Sequence, residues 1–169
     1  WKYFDWKEIT ISNDKVIISR SGFSNELGWE IYFRKNNNTE KVGDHILEEG
    51  KKMGMILTGT PGFRCKRIES GLLSAGQDFN HETNPYDVGL GNYVDLKKSY
   101  FIGKSALLTA DKEKRCWGIR VENGTGLKGT YIKFNNEIVG KITSSTWSPF
   151  QKCGVGIVLM NSTEHKPGL

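Results

Sequence analysis

SRSGFSNELGWEIYF, Ser19–Phe33, decides how the first part of the chain is read. The apolar run VIIS (Val16–Ser19) leads into it and WEIYF (Trp29–Phe33) closes it, both rich in the β-branched and aromatic residues that fill strands. Between them lie Ser21, Gly22, Ser24, Asn25, Glu26 and Gly28. A plain hairpin needs as few as about two turn residues, so this connection carries more small and charged residues than a turn demands. Strand alternation puts Glu30 and Tyr32 on one face and Trp29, Ile31 and Phe33 on the other. The apolar trio reads as the core face. Glu30 and Tyr32 then stand on the open face, either as ordinary solvated residues or as a carboxylate and a phenol that meet the donor-rich edge of a ligand.

From Thr39 the period changes to a helical one, with Val42, Ile46, Leu47 and Met53 on one side and Gly54 as a stop signal. MILTG (Met55–Gly59) reads as a short strand. Thr60 and Pro61 then make a helix start, and that helix is expected to run to Gly76 with Phe63, Ile68 and Leu72 inward. The segment from Gln77 to Phe101 is long and irregular, with Phe79, Tyr86, Leu90 and Tyr93 expected to pin it down. IGKSALLTA reads as a short helix. The charged run DKEKR, Asp111–Arg115, marks a domain boundary, giving domains 1–110 and 111–169. Beyond it CWGIRVE, TYIKF, EIVGKITSSTW and GVGIVLM are strands at the spacing of a small barrel or sandwich, with FNNE as a hairpin turn.

Composition excludes more than it assigns. The 169 residues include 8 Phe, 6 Tyr and 5 Trp, enough for a core at 37% hydrophobic content. No apolar run approaches the roughly 20 residues of a membrane helix, and no export signal opens the chain. The chain reads as the interior of a longer protein. Cys65, Cys116 and Cys153, odd in number and far apart, read as reduced thiols in a cytoplasmic setting. The net charge of +5 attracts anions in general without choosing one. GTGLKG (Gly124–Gly129) matches a dinucleotide fingerprint but is followed by strand and turn, which makes it a β–β connection. His45, His81 and His165 sit singly, so no metal site is expected. WKYFDWK (Trp1–Lys7) mixes basic and aromatic residues but lacks an RNA-binding signature, and no nucleic-acid partner is expected.

Several segments, in order, carry a family likeness. Ser19–Phe33 resembles R-[ST]-G-[YF]-[ST]-G-E-x-G-[FYW]-E-I. RIESGLLSAGQDFNHETNPYDVGLGNYVDL resembles RLEAGL…YGxDI…TTPxEAGLGWxV. YFIGKSALL resembles DFIGKEAL, and GKITSSTWSPFQKCGVGIVLM resembles GxVTSGxxSPxLxKxIGxAxV. Together they resemble the folate-dependent aminomethyltransferases. That family includes the glycine-cleavage T-protein, the C-terminal parts of sarcosine and dimethylglycine dehydrogenases, and dimethylsulfoniopropionate demethylase.

The resemblance implies an α+β fold: a folate-binding aminomethyltransferase region followed by a small C-terminal β-barrel. It also implies a methyltransferase of one-carbon metabolism with tetrahydrofolate as cofactor. Glu30 takes the position that contacts the pterin, where a carboxylate suits two parallel hydrogen bonds from a 2-amino-pyrimidinone edge. Tyr32 takes a position that lies at the substrate pocket in the demethylase branch. Tyr3 and Phe4, with Trp1 and Trp6, and Tyr93 are further pocket candidates, as aromatic faces for a sulfonium or amine donor. The family's catalytic aspartate is expected outside this chain. Asn25 stands for the usual Gly, Asp87 for Glu and Ser145 for Gly. Phe63 takes the place of a ligand arginine of the T-protein. GTP at Gly59–Pro61, RIESGLLS and NPYDVGLG look closer to the demethylase, which makes demethylation of dimethylsulfoniopropionate the expected reaction. The glycine-cleavage reaction, a folate module of an amine dehydrogenase and a non-enzymatic paralogue are the alternatives. Small-molecule donors and a homodimer complete the expected partners, with no membrane among them.

Overall fold

The computed structural model describes residues 1–165. The chain divides into two compact units, Trp1–Arg67 and Ile68–Leu169. The charged run Asp111–Arg115 lies within the second unit.

The first unit opens with strands β1 (Trp6–Ile11), β2 (Asp14–Ser19) and β3 (Glu30–Tyr32), antiparallel in that order. Ser12 and Asn13 join β1 to β2 with φ of 49° and 73°, the left-handed pair that a two-residue hairpin requires. Direct pairing lines up Trp6, Ser19 and Glu30 across one face, with Glu8, Ile17 and Tyr32 in the next row. The opposite face carries Ile9, Val16, Ile18 and Ile31, and Val16 is fully buried. Helix α1 (Thr39–Lys52) starts where Asn38 accepts the Lys41 N–H at 3.0 Å. It ends before Gly54, whose φ is +83°. Val42 is its fully buried anchor. Asn37 ties the helix entry to β2 by donating to Asp14 Oδ1 and to the Lys15 carbonyl, both at 3.1 Å.

Two expectations give way here. Met55–Gly59 forms no strand; it pairs with no ladder, and Ile56 and Leu57 are 85% and 84% exposed. A β-prone composition becomes a strand only where a partner edge is available. The core face expected for Trp29, Ile31 and Phe33 is reduced to a half-buried Ile31. Since β3 is only three residues long, Trp29 and Phe33 fall outside it and escape its alternation.

Helix α2 (Thr60–Glu69) begins at the Thr-Pro start but stops short of Gly76, because Gly71 turns left-handed at φ +71°. Ile68, expected inward, is buried, whereas Phe63 stays 42% exposed. In the second unit, Tyr86 is buried and Phe79 half-buried, as expected of the long irregular segment, and Val88 is buried as well, whereas Leu90 and Tyr93 stay exposed. A single 3-10 turn spans Gly91–Tyr93, and α3 (Lys104–Thr109) follows Gly103.

Strands β4 (Cys116–Val121), β5 (Tyr131–Phe134), β6 (Glu137–Ser148) and β7 (Cys153–Met160) lie where the alternation placed them. Asn135 and Asn136 join β5 to β6 with φ of 49° and 67°. The order is β4-β7-β6-β5, all neighbours antiparallel. Among the described residues this sheet does not close. The expected barrel therefore appears as an open four-stranded sheet, with β4 and β5 at its margins. Gly154 on β7 is obligatory on space alone, since a Cβ there would sit 2.1 Å from the Gly124 carbonyl oxygen. The core gathers Ile68, Val88, Cys116, Cys153, Val155 and Ile157.

A register shift between Ile142 and Ser144 frees Thr143 from the ladder, and its hydroxyl donates to Asp78 Oδ1 at 2.7 Å. Asp78, 1% exposed, also accepts the Ser74 N–H at 2.9 Å. Asp87, 4% exposed, accepts from Arg115 Nε at 2.9 Å and Nη2 at 2.6 Å. Its backbone oxygen accepts the Arg115 and Cys116 N–H groups.

Candidate functional site

The connection between β2 and β3 sets Glu30 in place. β2 ends at Ser19, and Arg20–Trp29 forms the small-residue connection to β3. Asn25 holds φ +58° there, a backbone that the resemblance assigned to glycine and that asparagine tolerates. The connection is held against α2, where Lys66 Nζ lies 2.8 Å from Glu26 and Phe23 packs on Phe63 with ring centres 5.9 Å apart. The side chain that replaces the expected arginine thus serves packing.

Glu30 and Tyr32 share a face, as period two requires, and they touch: Tyr32 Oη donates to Glu30 Oε2 at 2.7 Å. Ser21 Oγ donates to the same oxygen at 2.5 Å. Ser21 Oγ also lies 3.0 Å from Ser19 Oγ. A hydroxyl has one proton, and that of Ser21 is engaged with the carboxylate, so Ser19 is the donor in this second contact. These bonds, Ser21 first and Tyr32 second, hold the Glu30 carboxyl below its ordinary value of 4.5. The same bond to Glu30 raises the Tyr32 phenol above its ordinary 10.0. The sequence singled out Glu30 and Tyr32 but not Ser21, because a loop hydroxyl has no periodicity to betray it.

The same unit carries an aromatic and cationic ladder. Lys7 Nζ lies 4.7 Å from the centre of the Trp1 ring, and Trp1 meets Trp29 edge-on at 4.7 Å. The Arg20 guanidinium lies over Trp29 at 5.3 Å and over Tyr3 at 5.6 Å, and Tyr3 meets Phe4 at 4.9 Å. Tyr3 and Phe4 are thus brought together, both exposed, with Phe4 at φ +67°. Trp6 stands in the Ser19–Glu30 row. Tyr93 belongs to the second unit and is 86% exposed.

Among the described residues, cavities that lie elsewhere include one in each unit, and neither of these has Glu30, Tyr32, Tyr3, Phe4 or Tyr93 in its wall. In the second unit, about 310 Å³ is lined by Gln77, Asp78, Asp87, Arg115 and Thr143 among others. In the first, an open hollow lies beside Ser12, Asn38 and the Lys41, His45 and Glu48 side of α1. Among the described residues no group of three His, Cys, Asp or Glu side chains is arranged to hold a metal. No helix is long and apolar enough to cross a membrane among those residues.

A profile of the GCVT N-terminal domain matches residues 1–98, more than half of the chain and all of the region that carries Glu30. The chain belongs to the GCVT family. An aminomethyltransferase of Halothermothrix orenii is 32% identical over 99% of this chain and 48% of its own length. A probable aminomethyltransferase of Thermococcus gammatolerans matches at 32% over the same shares, 99% and 48%. This GCVT chain therefore spans about half the length of the curated relatives it matches. The crystal structure of the glycine cleavage system aminomethyltransferase T from Bartonella henselae shares the fold at a TM-score of 0.67 and 22% identity. That likeness covers 86% of this chain and 41% of the other.

Proposed function

We propose that the chain is the pterin-holding part of a folate-dependent aminomethyltransferase, a transferase of one-carbon metabolism acting on a small amine-bearing donor. The observation that carries this is Glu30: an ionised carboxylate on an open sheet face, with Oε1 receiving no protein donor among the described residues. Such a group fits the N–H-rich edge of tetrahydrofolate. Membership of the GCVT family and its likeness to aminomethyltransferases support the aminomethyl reading over demethylation. When bound, tetrahydrofolate supplies the nitrogen nucleophile that takes up the one-carbon unit.

This chain's own residues bind and orient. Glu30 accepts from the pterin edge, Tyr32 stands exposed beside it, and Trp6 is exposed in the same row with Ser19 between them. Tyr3, Phe4 and Tyr93 are proposed as further pocket surfaces, by exposure and residue type. Orientation of this sort removes entropy from the transfer step rather than adding acid–base chemistry. The division into a folate region to Ala110 and a domain built on the four-stranded sheet beyond it belongs to the same reading, as do a cytoplasmic location and a homodimer. Demethylation of a sulfonium donor such as dimethylsulfoniopropionate is the second reading. Phe63 favours it, since it packs on Phe23 where the T-protein is expected to have a ligand arginine.

Calorimetric titration of the chain with tetrahydrofolate tests the proposal. Glu30→Ala should weaken binding by at least about tenfold, as expected for loss of a charge-assisted hydrogen bond. Equal affinity in the two proteins refutes it.

A further inference from the structure

The Glu30 carboxylate is filled at one oxygen and open at the other. Ser21 and Tyr32 both donate to Oε2, and Ser19 backs Ser21 from the paired strand. A carboxylate oxygen offers about two acceptor positions, so Oε2 is saturated and Oε1 is the one left. No cation neutralises the group among the described residues. Arg20, the adjacent candidate, is turned away: its Nη1 donates to the Gly28 carbonyl at 3.1 Å and its plane covers Trp29 and Tyr3. Glu8, on the same sheet face, is itself paired with Arg34 and Lys15.

We propose that Ser21 and Tyr32 are positioning residues that grip Glu30 through Oε2 and present Oε1 alone to the incoming ligand. This rests on the reading of Glu30 as a ligand acceptor and changes its detail. The two parallel hydrogen bonds implied by the family resemblance need both carboxylate oxygens, and one of them is taken. The ligand N–H is met by Oε1. Hydroxyl donors suit this task better than an arginine would, because they fix the rotamer and keep the group ionised without cancelling its charge. Tyr32 acts through the glutamate here, and its phenol is not itself the ligand contact.

The test compares the chain with Ser21→Ala, Ser21→Thr and Tyr32→Phe, each checked for an unchanged amide spectrum. Two quantities are read: the Glu30 side-chain carboxyl titration by carbon-detected NMR, and tetrahydrofolate affinity by calorimetry. Ser21→Ala should raise the Glu30 midpoint and weaken binding about fivefold, the worth of one hydrogen bond. Ser21→Thr, which keeps the hydroxyl, should restore both. Tyr32→Phe should move both in the same direction by less. An unmoved Glu30 midpoint in Ser21→Ala overturns the grip, and so does a raised midpoint with wild-type affinity. A wild-type chain that ignores tetrahydrofolate while Ser21→Ala still moves the midpoint overturns the folate reading and upholds the grip.

Discussion

Replacing Arg115 by methionine isolates a two-pronged charged contact of the second unit. Asp87 is 4% exposed and takes two N–H groups from the guanidinium, at 2.9 and 2.6 Å. Its other oxygen keeps the Asn84 N–H at 2.9 Å in the variant. Removing one member of a buried pair strands the other charge and costs about 3–5 kcal/mol. The Arg115 side chain is 34% exposed, so water reaches part of the pair and the low end applies. The expected loss is therefore about 3 kcal/mol, or roughly 12–20 °C in Tm for a unit of this size. Amide exchange of the β7 residues Val155–Val158, which belong to the second unit alone, reads that loss without interference from the first. The double variant Asp87→Asn/Arg115→Met should recover a good part of it, because no charge is left stranded. A loss under about 1 kcal/mol for Arg115→Met, with no recovery in the double variant, refutes the reasoning.

Cys116 gives a pH signature. Burial first, and the charge of Asp78 second, push its thiol from 9.0 up to about 11, with Lys114 opposing. The folded chain keeps this proton while the unfolded chain sheds it. The contribution is therefore complete below pH 9.0 and fades as pH rises through the interval to about 11. The difference in urea midpoint between wild type and Cys116→Ala should shrink over that interval, and a constant difference refutes the assignment. Gly154→Ala should cost at least about 2 kcal/mol in urea unfolding, since its methyl meets backbone that has no rotamer to move. A cost below ~0.5 kcal/mol would mean that the Gly124 loop yields freely.

Legibility followed periodicity. The strands of the second unit were readable because β-branched residues alternate between short turns, and the Asn135–Asn136 turn because asparagine accepts positive φ. β1 was missed: Lys7, Glu8 and Thr10 hide its alternation, and the sign lay in Ser12–Asn13 just before Asp14–Ser19. Met55–Gly59 had the right residues and no neighbour to pair with. At the site, period two placed Glu30 beside Tyr32, and the structure joins them. Ser21 escaped because its role depends on a loop closing back on β3. The Asp87–Arg115 pair escaped because residues so far apart in sequence meet only through the fold, and no spacing announces them.

β7 lies between β4 and β6, yet it is the last of the four strands in the chain. β4 pairs with no other strand among the described residues, and Cys116 waits for Leu159. Order of synthesis and order of assembly therefore diverge in the second unit. The β5–β6 hairpin closes on itself early, while β4 leaves the ribosome with its edge bare and depends on a strand not yet made. A nascent chain stalled just after β6 holds a hairpin and a loose ribbon rather than a sheet, and that interval is when a holding chaperone has most to shield.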